Sequence, residues 1–447
     1  MMNDSWMSKK ESPLLGLQGM GGGVGGFNFL SGASEGGGIW AWGLNKNWYL
    51  FQAPGPQSPA NAATSRSSPV SVFGTKTDFT FMRVGSQSQS YVALDKDGGL
   101  YVWGSNTYGA LGQSQSVSYP MTAAGAVKPL SANQQLPGTW KSVSTTASIS
   151  FAIKEDDDGL FAWGKNTHGV LANNQNWTLN RSSPTRIPGS WAAAQIGGDD
   201  SNISGMGVKT DGTLWMWGRD PKGKLGIPNG GPYSHEPEAS TRYSSPIQVG
   251  TDTTWGTTNL LISNGKQCSA AIKTDGTLWT WGAGEYGQLG QNSHGNRSSP
   301  TQVGTSTNWA HILTAGADYR MFGVKTDNTL WAWGHQGYWG LLGLNQVADP
   351  ASFNNRSSPT QIPGSWKIGG STNASNRTQN WVKEDGTLWS WGANNYGEMG
   401  TNDQGPDNPE TPGPWTSRSS PIQVGTGSNW LGGTGDYEMA GAWGPKP

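Results

Sequence analysis

Apolar and polar positions alternate in short runs along almost the whole chain, and Thr277-Leu278-Trp279-Thr280-Trp281-Gly282 sets the pattern. A period of two puts Trp279 and Trp281 on one face of a strand and Leu278 and Thr280 on the other. Close copies end at Trp42-Gly43, Trp103-Gly104, Trp163-Gly164, Trp217-Gly218, Trp333-Gly334 and Trp391-Gly392, with successive anchors 52 to 64 residues apart. A repeat of this kind, with one variable segment, describes an array of similar units.

Each unit reads in four beats. In the copy from Arg297 to Gly334, Arg297-Ser298-Ser299-Pro300-Thr301-Gln302-Val303 is a first strand, its proline tolerated at a start or edge. A loop then closes on Trp309, and a second strand runs toward Leu313. Phe322-Gly323-Val324-Lys325 is the third strand and Leu330-Trp331-Ala332-Trp333 the fourth. The link between these last two is usually Asp-Gly, as at Asp97-Gly98, Asp158-Gly159, Asp211-Gly212, Asp275-Gly276 and Asp385-Gly386, which predicts a type I′ hairpin turn. The aromatic pairs Trp40/Trp42, Tyr101/Trp103, Phe161/Trp163, Trp215/Trp217, Trp279/Trp281, Trp331/Trp333 and Trp389/Trp391 are assigned to the core. So are the loop-closing rings Phe79, Trp140, Trp191, Trp255, Trp309, Trp366 and Trp430, each large ring being able to bury roughly 150 to 250 Å².

Four short antiparallel strands repeated seven times describe an all-β, seven-bladed β-propeller. At the carboxyl end, Asp436-Tyr437-Glu438-Met439 aligns with Asp318-Tyr319-Arg320-Met321, which sets Ala442 against Val324 and makes Trp443 a false anchor. The last blade then lacks its fourth strand. Gly38-Ile39-Trp40-Ala41-Trp42-Gly43 is a fourth strand without the other three, so an N-terminal strand is expected to complete the last blade and hide two sheet edges. Residues 36–447 are read as the propeller and residues 1–35 as a Gly-rich arm. The arm carries Leu14, Leu15, Leu17, Met20, Val24, Phe27, Phe29 and Leu30, apolar residues that a pure spacer lacks, so it is expected to dock on other proteins of a larger assembly.

Composition sharpens this. Gly (68) and Trp (25) favour turns and aromatic packing over helices. Lys+Arg 29 against Asp+Glu 30 leaves a charge of -1 with no basic block, which argues against a nucleic-acid partner. Cys268 is the one cysteine, so no intrachain disulfide forms. No apolar run has the length of a membrane helix, and residues 1–35 lack the apolar core of a secretory signal. The expectation is synthesis in the cytoplasm and no membrane insertion.

After the Trp-Gly anchors come Asn106-Thr107-Tyr108-Gly109-Ala110-Leu111-Gly112, Gly284-Glu285-Tyr286-Gly287-Gln288-Leu289-Gly290 and Asn394-Asn395-Tyr396-Gly397-Glu398-Met399-Gly400. With the preceding Asp-Gly-Thr-Leu-Trp-x-Trp-Gly, these segments resemble repeats of the regulator of chromosome condensation (RCC1-like) family, in a bacterial or phage type. The resemblance implies a seven-bladed propeller. It implies no single function, since members include a nucleotide-exchange factor for a small nuclear GTPase, membrane-traffic regulators and an inhibitor of β-lactamases. Ser90, Ser150 and Ser269 stand where the family often has histidine, and the basic tail used on chromatin is missing. Exchange-factor residues and chromatin binding are therefore not carried over.

His168, His235, His294, His311 and His335 have no spacing that gathers metal ligands. Glu155-Asp156-Asp157-Asp158-Gly159 sits at a hairpin turn and lacks the alternating oxygen ligands of a calcium loop. Gly21-Gly22-Gly23 lacks the Lys-Ser/Thr of a phosphate loop, and no Ser-His-Asp set stands out. No catalytic, cofactor or metal residue is assigned, and the chain is read as a non-enzyme without cofactor. Long segments at residues 44–65, 113–135, 219–241, 335–355 and 401–417 carry Trp48, Tyr49, Phe51, Tyr119, Tyr233, Tyr338, Trp339, Phe353 and Trp415 outside the repeat. Such a rim suits a cell-surface protein or a glycan. The leading expectation is a virion-associated structural or adhesion protein, such as a phage tail fibre or capsid decoration, displayed on the virion surface and docked through its arm. The alternative is a soluble regulator or inhibitor that binds one protein through the loop face.

Overall fold

The structure is a computed structural model. It describes residues 36–444 apart from 46–63, 74–75, 86–89, 115–126, 129–134, 147, 175–178, 200, 229–241, 316–318, 338, 347–353, 374–376, 396, 403–416 and 436–438. The arm, residues 1–35, lies outside the described residues. The chain forms seven antiparallel sheets, almost all of four strands, arranged as the blades of a propeller.

Blade 3 shows the plan. Its inner strand is Trp191–Gly197, followed outward by Ser204–Lys209, Leu214–Arg219 and Arg242–Gln248. The Arg-Ser-Ser-Pro strand is thus the outermost strand of the blade that precedes it in sequence, not the first strand of the next one. Thr280 pairs with Thr301, and Gly282 with Arg297. The four-beat frame shifts by one strand because proline and serines suit a solvent-facing edge, whereas the Trp-led strand is apolar enough for the centre. Blade 6 keeps three regular strands, and residues 366–372 supply its inner edge through Lys367 N–H to Val382 O and Val382 N–H to Gly370 O, 3.0 and 3.1 Å.

Closure follows the expected route and is more extensive. Gly38–Asn45 pairs with Met439–Gly444, as expected, and Thr64–Ser71 adds a second strand from the N-terminal side. Blade 7 is therefore built half from each end of the described chain. Trp443 lies on the second strand, so it is not a Trp-x-Trp anchor. The alignment is off by one residue, however: Trp443 pairs with Ile39 and so takes the place of Val324, which pairs with Leu330. A one-residue slip reverses every face, and the indole fits because Gly432 stands beside it, where an added Cβ would lie 2.2 Å from the ring.

The hairpin turn also differs from expectation. In blade 4 the Gly276 N–H reaches Lys273 O at 2.9 Å and the Lys273 N–H reaches Thr277 O at 2.9 Å. Gly276 has φ +78°, and Asp275 is not among the residues of positive φ. Type I′ requires two such residues, so this is the three-residue loop closed by a left-handed glycine. At Asp158-Gly159 the left-handed residue is Asp158 itself, φ 51°, because this turn is one residue longer.

The aromatic pairs split by depth. The second ring of each pair is buried in a seam between blades, while the first is half-buried at the rim. Seam indoles donate to a carbonyl of the preceding blade: Trp42 to Glu398 O at 2.9 Å, Trp163 to Ala110 O at 2.9 Å, Trp217 to Val170 O at 2.7 Å, Trp333 to Gln288 O at 2.9 Å and Trp391 to Leu341 O at 3.1 Å. All seven loop-closing rings are buried as well. Truncating such a buried ring costs about 3–5 kcal/mol.

Candidate binding face

Antiparallel order divides the loops between two faces. Inner-to-second and third-to-outer connections open on one face, and the Asp-Gly turns and inter-blade links on the other. The turn face is occupied by its own chemistry. Asp211 Oδ1 accepts the Thr213 N–H at 3.0 Å and its hydroxyl at 2.6 Å, Thr213 Oγ1 accepts the Trp215 indole N–H at 2.8 Å, and Lys209 Nζ lies 3.6 Å from the centre of the Trp215 ring. The same set recurs at Asp275, Thr277, Trp279 and Lys273, at Asp327, Thr329, Trp331 and Lys325, and at Asp385, Thr387, Trp389 and Lys383. The threonine bonds hold these four carboxylates below the ordinary carboxylate range. The carboxylates of the acidic run diverge: Asp157 accepts the Gly159 N–H at 2.9 Å and pairs with Arg186, while Asp158 pairs with Lys141.

The opposite face is where the long variable segments emerge. Its base is rigid. Asn106 Oδ1 accepts the Leu111 N–H at 3.1 Å, and Asn166, Asp220 and Asn394 cap Leu171, Leu225 and Met399 in the same way. Gly109, Gly223 and Gly287 lie so close to Ser182, Ser298 and Ser357 of the next blade that an added Cβ would sit 2.5 or 2.6 Å from the serine Cα. The motif after each Trp-Gly therefore docks on the next blade's Arg-Ser-Ser-Pro strand, and Asn292 N–H to Ser357 O at 2.7 Å is one such link. Rigid pedestals of this sort let unequal insertions vary without disturbing the ring.

Of the nine loop aromatics, Trp48, Tyr49, Phe51, Tyr119, Tyr233, Tyr338, Phe353 and Trp415 lie outside the described residues. Trp339 is described: it is half-buried with the Arg377 guanidinium 5.3 Å from its ring centre. The structure also sets side by side rings that the sequence reading assigns to no binding site. Tyr286 stacks on Tyr319 at 4.7 Å and packs on His335 at 5.0 Å, next to the Lys222–Glu285 ion pair, and Lys165 lies 4.8 Å from the Tyr108 ring. Burial raises the Tyr319 phenol above its ordinary range. The signal for Tyr108 and Tyr286 is present in the Asn-x-Tyr-Gly-x-Leu-Gly motif. Tyr319 and His335 join Tyr286 only where neighbouring blades adjoin. Among the described residues no group of three or more His, Cys, Asp or Glu is placed to hold a metal ion, and no helix is long and apolar enough to cross a membrane.

Comparison with known proteins agrees with this architecture. The regulator of chromosome condensation (RCC1) repeat matches residues 97–153, 275–322 and 385–430. The mitochondrial RCC1 domain-containing protein RUG3 of Arabidopsis thaliana is 25% identical over 331 residues, 70% of this chain and 66% of that protein. The ultraviolet-B receptor UVR8 of the same plant is 25% identical over 304 residues, 67% of this chain and 62% of that protein. The chain thus spans less than two thirds of the length of either relative. Among solved structures, Prp20p from Saccharomyces cerevisiae superposes with a TM-score of 0.69 at 17% identity, covering 93% of both chains, and human WBSCR16 with 0.65 at 17% identity, covering 92% of this chain and 99% of that one. The chain thus carries RCC1 repeats, is similar in sequence to RCC1-like proteins, and shares the fold of these solved structures over nearly its whole length.

Proposed function

We propose that this propeller is a non-enzymatic binding module whose loop face takes a protein partner, and that it works as a virion-associated structural or adhesion protein held in its particle by residues 1–35. One observation carries the binding role: the turn face uses its aspartates, threonines and lysines on its own tryptophans, while the loop face sets unequal, aromatic-bearing insertions on rigid pedestals. The glycine-rich, apolar composition of residues 1–35 supports the docking role of the arm. The test is fractionation of the producing cells' particles with the full chain and with residues 1–35 deleted. Co-sedimentation of the full chain with capsid or tail structures, lost on deletion, is expected. Incorporation that survives deletion contradicts the docking role.

A second reading has support in the relatives. A UV-B receptor and the E3 ubiquitin-protein ligase HERC2 of Homo sapiens carry similar repeats, and Prp20p has binding properties to Gsp1p and histones. On that reading the chain is a soluble regulator or inhibitor. Recovery of one stoichiometric soluble partner, with no particle in the gradient, selects it.

A further inference from the structure

The inner edges of the blades, six regular strands and residues 366–372 of blade 6, surround the central channel of a propeller and are tied to one another by side chains. Ser144 Oγ accepts the Ile196 N–H at 3.1 Å, and the Thr314 N–H reaches Ser263 Oγ at 2.8 Å. Asn373 Nδ2 spans from Val84 O to Gly435 O, 3.1 and 3.0 Å. At one level the pairing registers align Arg83, Ser144, Gln195, Leu313 and Thr434 as equivalent positions of blades 1, 2, 3, 5 and 7. Thr434, Arg83, Ser144 and Gln195 form a continuous polar arc.

Arg83 is the anomaly in that arc. It is only 9% exposed, and its Nη1 donates to the neutral Gln195 Oε1, which also accepts the Ser144 hydroxyl at 3.1 Å. Its Nε has no hydrogen-bond partner among the described residues, and neither has Thr434 Oγ1, the hydroxyl on the adjoining inner strand. The inner-strand segments, from Phe79–Val84 round to Gly432–Gly435, contain no aspartate or glutamate. Burial alone lowers the guanidinium to about 10, with no carboxylate offsetting it. Buried charges are ordinarily paired, and an unpaired one costs several kcal/mol. Arginine offers a planar fork of donors, of which the Nε is unused here, and such forks match the two oxygens of a carboxylate or phosphate.

We propose that the channel holds one small oxyanion at Arg83, with the Thr434 hydroxyl as a further donor. The anion neutralises the guanidinium and ties blades 7, 1 and 3 together across the closure of the ring.

The full chain is titrated calorimetrically with sodium phosphate and, separately, with sodium acetate, sodium chloride serving as the ionic-strength control. Saturable binding of either oxyanion at one site per chain, with a concentration-dependent rise in Tm, is expected. Phosphate alone identifies a phosphoryl ligand, and acetate alone a carboxylate. Arg83→Gln is expected to bind at least about tenfold more weakly and, in anion-free buffer, to melt no lower than the wild type, since it removes an uncompensated charge. Equal anion-dependent stabilisation of both proteins, or no saturable binding of either oxyanion, overturns the proposal. Should Arg83→Gln fail to fold, Arg83→Lys keeps the charge and loses the fork, and undiminished binding by that variant likewise overturns it.

Discussion

Trp281 and Trp333 occupy equivalent seams, are both fully buried, and differ in one respect. Trp333 Nε1 donates to Gln288 O at 2.9 Å, whereas Trp281 Nε1 has no partner among the described residues. Replacing each by phenylalanine removes nearly the same volume, so the packing losses are close to equal and cancel in the comparison. Trp333→Phe also breaks a buried hydrogen bond and strands a carbonyl, while Trp281→Phe removes a donor that was already unsatisfied. An orphaned buried group costs about 1–3 kcal/mol, so Trp333→Phe is expected to be the worse variant by that amount. An unfolding entropy of about 2.1 cal/mol/K per residue over roughly 400 residues converts the difference to about 1–4 °C in Tm. Urea midpoints with matched slopes measure it independently. Equal losses, or a greater loss at Trp281, would refute the claim that indole-to-carbonyl bonds hold neighbouring blades together.

Three further outcomes follow from buried ionisable groups. His311 is buried, its Nδ1 accepting the Gly369 N–H at 3.3 Å, and burial pushes its imidazole down to about 3 from an ordinary 6.5. Between those values the unfolded chain holds more protons, so stability should fall as pH drops from 6.5 toward 3, by up to about 1.4 kcal/mol per pH unit, and His311→Gln should flatten that slope in acid denaturation. Lys224 donates to Gly197 O and Asn202 O at 3.1 and 3.2 Å, and burial lowers its amine to about 7 from 10.5; the unfolded chain again holds more protons between these values, so stability should rise from pH 7 to 10.5, and Lys224→Met should remove the rise. The Cys268 thiol is buried and pushed up to about 12, so a thiol reagent at pH 8 should label it only after unfolding, and rapid labelling of the folded chain contradicts its place in the core.

The repeat was legible because it rests on period-two alternation and on rings too large to lie anywhere but a core. Trp-x-Trp-Gly therefore marked strands, blade count and closure. The strand frame was not legible, since Arg-Ser-Ser-Pro reads equally well as the last strand of one blade or the first of the next. Only pairing such as Gly282 with Arg297 decides it. Trp443 misled the alignment by one residue because a matching tyrosine and methionine outweighed the glycines that make room for its indole. The turn type escaped because Asp-Gly suits two loops, and hydrogen bonds to Lys273 distinguish them. Arg83 and Thr434 stand 351 positions apart in sequence and come onto adjoining inner strands only through closure of the ring, so no local pattern connects them.

Closure of the ring by residues 38–45 is the claim on which the rest depends, and two truncations compared by calorimetry test it. Removal of residues 1–35 should leave the propeller's melting transition intact. Removal of residues 1–45 takes away the strand Gly38–Asn45 and with it Trp42, baring the edge of Met439–Gly444 and parting it from Thr64–Ser71, and should abolish the cooperative transition or drive aggregation. A chain starting at residue 46 that melts as cooperatively as the full protein would contradict the account.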